Sequence, residues 1–278
     1  MFNTLTSLSP FAQTLLAGIF TWLMTLMGAS ISLFGRELRP KLCDSMLGAA
    51  GGVMIAASFW SLLSPALDLA QTSWSARFAW VPVASGFLLG AIAIRALDWI
   101  LPHLHPGLSP DHVEGISTHW RQSTLLFLAI TLHNIPEGFA VGVAFGAFAD
   151  GATSGVSGGA MTLASAWAVA IGIGLQNIPE GLAVAAPLRM SGLSRWKSFV
   201  IGQFSGFVEP IAAVVGFIAV TLVQTILPYA LAFAAGAMIF VVVEELIPRS
   251  HQNGNTDAAS SGAILGFTLM MILDVALS

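Results

Sequence analysis

The sequence predicts an all-α membrane protein of eight transmembrane helices, and two observations lead to this fold class. The 278-residue chain is 56% hydrophobic and only 9% charged, with a mean hydropathy of +0.83, which is too apolar for a soluble domain of this size. The apolar residues form runs of about 20, the length that an α-helix needs to cross a bilayer. We therefore expect one transmembrane domain over 1–278. The runs lie near 10–34, 43–67, 79–101, 123–149, 161–188, 198–223, 229–248 and 260–277.

The first run is expected to remain in the protein as a span. The first 30 residues have neither a basic segment nor a small-residue cleavage site ahead of the second run, as a secretory signal peptide would. The single cysteine, Cys43, excludes an intramolecular disulfide and a cluster of thiolates. The sequence has no basic patch of the kind that binds nucleic acid.

The basic residues predict the orientation of the spans. Of the ten lysines and arginines, only Arg77 falls in a loop that follows an even-numbered span. By the positive-inside rule, the other loops face the cytoplasm and both termini lie outside. The residues on the cytoplasmic side are Arg36, Arg39, Lys41, Arg95, Arg121, Arg189, Arg195, Lys197 and Arg249.

Three glutamates fall in the middle of predicted spans: Glu137, Glu180 and Glu209. A carboxylate at that depth costs about 2.5–3.5 kcal/mol, even on the more lenient insertion scale. No lysine or arginine is predicted at mid-span to compensate them. Protons, water in a cavity or a bound cation are the remaining candidates.

Two of these glutamates belong to a repeated motif, HNIPEG at 133–138 and QNIPEG at 176–181. In each copy the first residue and the glutamate are four apart and the asparagine and the glutamate three apart, so all three side chains share one helix face. Each proline removes a backbone donor and is expected to bend its helix beside the glutamate. This arrangement favours a bound cation. The additional candidate ligands are His133, Asn134, Gln176 and Asn177.

Two other spans contribute candidates. Glu209 is followed by Pro210, which repeats the carboxylate-proline pair in the sixth span, and Met54 lies in the middle of the second span. A buried methionine is an ordinary core residue, so Met54 by itself is a weak candidate.

Further polar residues mark a path from one membrane face to the other. Asp68 and Asp274 are predicted near the outer ends of their spans, and the remaining path residues lie towards the inner side: Asp98, Glu244, Glu245 and His251. Four of the six histidines fall in the loop 102–122, which is either a metal-collecting segment or a polar linker. They are His103, His105, His112 and His119.

These motifs make the chain resemble the ZIP family of divalent metal transporters, and most closely its GufA subfamily, whose fourth and fifth spans read HNxPEG and QNxPEG. The resemblance continues through the segments GFVEP, LAFAAGAMIFVV and LGFTLMMILDVAL and so covers all eight spans. It implies a bundle with an inverted 3+2+3 repeat, spans 1–3 against 6–8 around spans 4 and 5, that carries Zn²⁺ and related ions into the cytoplasm. Sites on broken helices at the repeat interface are common in such transporters.

The resemblance also implies two adjoining metal sites bridged by the motif glutamates. The first would use Met54, His133, Glu137, Gln176 and Glu180, and the second Asn134, Glu137, Asn177, Glu180 and Glu209. Some relatives have aspartate where this chain has Asn177, and some have histidine where it has Glu244. Three glutamates provide −3 against +4 for two divalent ions, so we expect one ion to bind well and a second more weakly.

This ligand set suits Zn²⁺ as the transported substrate, with Cd²⁺, Fe²⁺ and Mn²⁺ as alternatives, and disfavours Mg²⁺. The expected location is a bacterial inner membrane. The sequence is compatible with a monomer or a homodimer. Two other functions also use polar side chains at mid-span: a proton-coupled carrier for a non-metal solute, and a membrane-embedded zinc hydrolase. The sequence contains no HExxH, and a hydrolase does not need acidic residues at both membrane faces.

Overall fold

The chain folds into a bundle of long helices. The computed structural model describes residues 7–34, 39–100, 122–154, 161–190 and 192–277, and this part of the chain contains helices and no β-strand. Eight long helices correspond one to one with the eight predicted spans. They are α1 (Pro10–Ser30), α2 (Pro40–Ala57, continued by Ser58–Leu63 and Ser64–Ser73), α3 (Trp80–Ile100), α4 (Gln122–Ser154), α5 (Leu163–Met190), α6 (Arg195–Ser205 and Val208–Leu222), α7 (Leu227–Val241, continued by Val242–Leu246 and Ile247–Ser250) and α8 (Thr256–Leu277).

The lengths and compositions of these helices fit a bilayer. Within the described residues, seven of them are long and apolar enough to cross a membrane. The eighth is α4, which has 33 residues and carries HNIPEG. Large apolar side chains such as Leu88, Ile92 and Leu265 are exposed on the outside of the bundle, where lipid would cover them. The protein is therefore an integral, multi-pass membrane protein.

Capping side chains and glycines define several helix ends. Ser9 accepts a hydrogen bond from the backbone N of Ala12 and precedes Pro10, so α1 begins with a capped turn. After α5 and α7 the chain turns at Gly192 (φ +90°) and Gly254 (φ +77°). Glycine takes this left-handed conformation without the penalty of a Cβ.

The helices pack in four close pairs, α1 with α5, α4 with α6, α2 with α8 and α3 with α7. Each pair brings glycines of one helix against backbone carbonyl groups of the other, so that an added Cβ would collide with the carbonyl oxygen. Small residues permit this approach in membrane bundles. Examples are Gly28 against Ile178, Gly142 against Ala213, Gly52 against Ala263 and Gly90 against Phe233.

These pairs are related by the expected inverted repeat. Exchanging α1, α2 and α3 with α6, α7 and α8, and α4 with α5, converts the α1–α5 pair into α6–α4 and the α2–α8 pair into α7–α3. The 3+2+3 arrangement implied by the resemblance therefore agrees with the packing. Which membrane side each loop faces stays a prediction.

The equivalent helices α2 and α7 share an irregularity. Each contains one π-helical turn, at Ser58–Leu63 in α2 and at Val242–Leu246 in α7, and a proline follows two residues later, Pro65 and Pro248. A π-turn accommodates one extra residue and is frequent at functional sites.

Candidate metal-binding site

The two motifs lie on neighbouring helices inside the bundle. α4 and α5 pack against each other, and α6 brings Glu209 to the same region. The eight predicted ligands are all buried, each at most 7% exposed. They are Met54, His133, Asn134, Glu137, Gln176, Asn177, Glu180 and Glu209. The position of each mid-span acid in the protein interior is therefore confirmed, whereas its role as a metal ligand remains a prediction.

The helix interruption beside this cluster is in α6. Both α4 and α5 run on as α-helix through Pro136 and Pro179, so neither proline ends its helix. α6 instead divides at Gly206 and Phe207, and Glu209 stands in the first turn of its second half. That position places the carboxylate near the positive end of a helix dipole, which stabilises negative charge.

Glu209 is held by donors from two other helices. Thr25 Oγ1 on α1 donates to Glu209 Oε1 at 3.1 Å, and Asn177 Nδ2 on α5 donates to Oε2 at 2.7 Å. The same Asn177 amide also donates to the backbone oxygen of Thr21 at 3.2 Å. Gly206 leaves room for this network, because a Cβ there would lie 2.8 Å from Glu209 Oε1 and 2.7 Å from Thr25 Oγ1.

The motif glutamates have few hydrogen-bond donors around them. Gln176 Nε2 donates to Glu137 Oε1 at 3.0 Å and so ties α5 to α4. The carboxyl groups of Glu137 and Glu180 face each other, and Glu209 is near enough to act electrostatically on both. When both of these carboxyl groups are ionised, both are acceptors and neither can satisfy the other.

The cluster consequently contains a set of buried oxygens without donors. Such an atom costs about 1–3 kcal/mol when it is removed from water and left unpaired. Five of these atoms on two helices would cost as much as the whole stability of a typical domain. Among the described residues, the unpaired site oxygens are Asn134 Oδ1, Glu137 Oε2, Gln176 Oε1, Asn177 Oδ1 and Glu180 Oε1.

Acceptor oxygens and negative charge without donors are the surroundings that a cation requires. No group of three or more His, Cys, Asp or Glu side chains in the described ranges is close enough to hold a metal ion by itself. An ion in this cluster would therefore be coordinated by amide oxygens as well as carboxylates, and the side chains would converge on it.

Met54 is fully buried in α2, in the last α-helical turn before the π-turn Ser58–Leu63. α2 packs against α5, the helix that carries QNIPEG. Its neighbours also make it part of the apolar core.

One expectation from the sequence is wrong: a basic side chain does reach the buried acids. Arg249, predicted to open a loop, is only 7% exposed. Its Nη1 lies 3.6 Å from Glu245 Oε1, its Nη2 donates to the backbone oxygen of Ala183 on α5, and its charge acts on Glu180. The i,i+4 spacing of Glu245 and Arg249 was the sequence signal for this ion pair.

The predicted path residues are distributed between the surface and the interior. Asp68 and His251 are exposed, whereas Asp98, Glu245 and Asp274 are buried. Asp98 and Asp274 occupy the last turns of α3 and α8, which the inverted repeat makes equivalent.

Two path acids have partners on other helices. Ser61 donates to Asp274 at 2.6 Å, and Arg95 donates to Glu244 at 3.1 Å. The loop histidines His103, His105, His112 and His119 lie outside the described residues.

Sequence reasoning missed the contribution of α1. Thr21 and Thr25 are both buried, and they contact the Asn177 and Glu209 network through a backbone oxygen and a hydroxyl group. Their spacing of four, with Thr14 seven residues before Thr21, places three threonines on one face of an otherwise apolar helix. That polar stripe could have indicated a helix face turned towards the site.

The fold and the cluster define a polytopic helical membrane protein with acidic and amide side chains enclosed in its bundle. Residues 109–274 match the family described as ZIP Zinc transporter. The chain belongs to this family.

Full-length relatives agree with the assignment. Zinc transporter ZIP11 of Homo sapiens is 40% identical over 95% of this chain and 97% of its own length. Zinc transporter GufA of Myxococcus xanthus is 38% identical over 95% of this chain and 97% of its own. Zinc transporter ZIPB of Bordetella bronchiseptica is 39% identical over 94% of this chain and 80% of its own.

Proposed function

We propose that this protein transports Zn²⁺ across the membrane into the cytoplasm and that the cluster on α4, α5 and α6 binds the ion during passage. The observation that supports the proposal best is the set of five buried acceptor oxygens without donors around Glu137 and Glu180. A divalent cation would satisfy these oxygens and neutralise the carboxylates, whereas an uncharged solute would need donors of its own.

The first ion would bind between α4 and α5 with help from α2. Its ligands would be Met54, His133, Glu137, Gln176 and Glu180. Two of these ligands are already positioned next to each other, because Gln176 donates a hydrogen bond to Glu137. Rotation of the amide or a small shift of the carboxylate would let both oxygens meet the ion.

A second ion would bind more weakly next to the first. Its ligands would be Asn134, Glu137, Asn177, Glu180 and Glu209. Glu209 already receives hydrogen bonds from Thr25 and Asn177, so an ion there has to compete with two donors. We therefore propose that one ion occupies the cluster at low concentration.

The ligand types favour Zn²⁺, and the same donors would accept Cd²⁺, Fe²⁺ and Mn²⁺. The exposed Asp68 and the buried Asp274 would attract ions at the outer face. On the inner side the path would continue past Asp98, Glu244, Glu245 and His251. The positive-inside distribution of the basic residues supports cytoplasmic loops after the odd-numbered spans, and the bacterial relatives GufA and ZIPB support a bacterial inner membrane as the location.

Whole-chain similarity to zinc transporters sets the other functions aside. A transporter family is not an enzyme family, so the protein is not an enzyme and the hydrolase alternative is set aside. A carrier for a non-metal solute would leave the five oxygens unexplained. We treat 1–278 as one transporting unit and leave open whether two copies form a homodimer.

Uptake by proteoliposomes tests the proposal directly. The purified full-length protein should carry Zn²⁺ into vesicles, competing divalent ions should reduce this uptake in proportion to their affinity, and an imposed pH gradient would reveal proton coupling. Empty vesicles give the background rate. A rate equal to background, in vesicles that contain folded protein, would contradict the function.

Substitution of the motif glutamates tests the site. Glu137→Ala and Glu180→Ala should each abolish uptake while the protein still inserts, because each removes a charge that the ions would share. The matched control is Asp257→Ala, which removes an exposed carboxylate from the first turn of α8 and should leave uptake unchanged. Normal uptake by a correctly inserted Glu137 or Glu180 variant would exclude that residue from the ion site.

A further inference from the structure

We infer that Arg249 is a fixed counter-ion of the metal cluster. Its positive charge compensates Glu180 in place of the metal and so helps the ion to leave towards α7. This inference rests on the proposed function and adds a residue that the predicted ligand set does not contain. It assigns a role to the one basic side chain, among the described residues, whose charge acts on a motif glutamate.

The position of Arg249 is fixed by two contacts. Its guanidinium lies 3.6 Å from Glu245 in α7 and donates to the backbone oxygen of Ala183 in α5. Both side chains of the ion pair are buried, at 8% and 3% exposed. A buried arginine is retained only where acceptors and negative charge compensate it, so its placement between α5 and α7 is specific.

The contact with Ala183 brings the charge one helical turn from the metal cluster. Ala183 follows Glu180 by three residues, so the two lie on the same face of α5. The arginine is on the side of Glu180 that leads to the end of α5 at Met190, and it belongs to the end of α7. An ion that leaves Glu180 in this direction has to pass the guanidinium.

Charge competition gives Arg249 its effect. A divalent ion and the guanidinium are both attracted by Glu180, and they repel each other, so each weakens the binding of the other. From its place beside Glu245 the guanidinium compensates part of the charge of Glu180; a bound divalent ion takes over this compensation and repels the guanidinium, and after the ion has left the arginine compensates Glu180 again. The empty cluster is thereby stabilised, and release costs less than it would beside an uncompensated carboxylate.

The test compares charge variants in equilibrium Zn²⁺ binding and in proteoliposome uptake with the full-length protein. Arg249→Gln should bind Zn²⁺ about tenfold tighter or more, as expected for removal of one positive charge at close range. Its uptake should saturate at a lower Zn²⁺ concentration and reach a lower maximal rate. Arg249→Lys keeps the charge and should stay close to the wild type in both measurements.

Two further variants exclude a purely structural role. Glu245→Gln leaves the arginine with Glu180 and the backbone oxygen of Ala183 and should weaken Zn²⁺ binding, the opposite of Arg249→Gln. The matched control is Arg189→Gln, since Arg189 donates to the backbone oxygen of Ser32 and lies about 13 Å further along α5 than Glu180. Its Zn²⁺ affinity should not change.

The inference and the proposed function fail in different ways. If the folded wild type neither binds nor transports Zn²⁺, the proposed function is wrong and this role falls with it. If the wild type transports Zn²⁺ and Arg249→Gln binds it with equal or lower affinity, only the role of Arg249 is wrong. Should Arg249→Gln not fold, the double variant Arg249→Gln/Glu245→Gln avoids a lone buried charge, and it must bind Zn²⁺ more tightly than Glu245→Gln, which differs from it only at Arg249.

Discussion

The Asn177→Asp substitution gives the sharpest test of how many ions the cluster holds. Asn177 Nδ2 now donates to Glu209 Oε2 at 2.7 Å, and its Oδ1 is buried without a donor. An aspartate of the same shape would turn this contact into one between two carboxylates. It would also raise the charge of the cluster from −3 to −4, which matches two divalent ions.

The structure allows an approximate magnitude. Loss of a hydrogen bond to a charged group costs about 1.5–3 kcal/mol. Two carboxylates about 4 Å apart repel each other by about 4 kcal/mol at an effective dielectric constant of 20. The metal-free variant should therefore be clearly less stable than the wild type. Zn²⁺ between the two carboxylates reverses the sign of this interaction, so the second ion should bind at least tenfold more tightly.

Metal analysis, calorimetry and thermal unfolding with and without Zn²⁺ would measure these effects. We expect stoichiometry to rise from about one ion towards two, the melting temperature without metal to fall, and its increase on adding Zn²⁺ to become larger. Turnover should slow, since conduction needs release as well as capture. Asn177→Ala is the control, because it removes the donor without adding charge and should not raise the stoichiometry. Unchanged stoichiometry and affinity in Asn177→Asp would refute the second site.

Three other predictions follow from the packing, the outer face and the loop. Gly52→Ala should lower the melting temperature and the folded yield, because its Cβ would collide with a carbonyl group of α8. The control is the adjacent Gly51→Ala, whose Cβ would have its nearest neighbours 3.8 Å away and which should be neutral or slightly stabilising. Equal melting temperatures of the two variants would contradict the packing. Asp274→Asn can still accept the hydrogen bond from Ser61 but lacks the negative charge, so half-saturation of uptake should need several-fold more Zn²⁺ while the maximal rate is retained. An unchanged dependence of uptake on Zn²⁺ concentration would remove Asp274 from the ion path. Replacing the four loop histidines His103, His105, His112 and His119 by alanine should slow or deregulate uptake without abolishing it, because the sequence predicts that they lie outside the spans. Complete loss of uptake with intact folding would place them on the ion path.

The spans could be predicted because a bilayer imposes one simple requirement, about 20 apolar residues in sequence. The ends were less certain. The span predicted at 43–67 corresponds to a helix from Pro40 to Ser73. It starts earlier because proline is favoured at the first helical position, and it ends later because polar residues can extend a helix beyond the hydrocarbon. The interruption of α6 at Gly206 was not predicted, because it depends on packing against α1.

The site was predictable within each helix but not between helices. Spacings of three and four identified the motif residues, because helix geometry alone places them on one face. The hydrogen bond from Gln176 to Glu137 and that from Asn177 to Glu209 depend on how far each helix slides against its neighbour. Glycine contacts between α1 and α5 and between α4 and α6 contribute to that register, and no local pattern specifies them. Arg249 was misplaced for the same reason, since its burial comes from α5.

The π-turns of α2 and α7 bear on the history of the chain. A π-turn is what a single inserted residue leaves behind in an α-helix, and deletion of that residue would rotate everything beyond it by about 100°. The two turns occupy equivalent helices of the inverted repeat, each two residues before a proline. If the halves descend from one duplicated gene, a single insertion before the duplication accounts for both turns. Most homologues should then keep both π-turns. A homologue that has lost only one of them should no longer have the same geometry in α2 and α7.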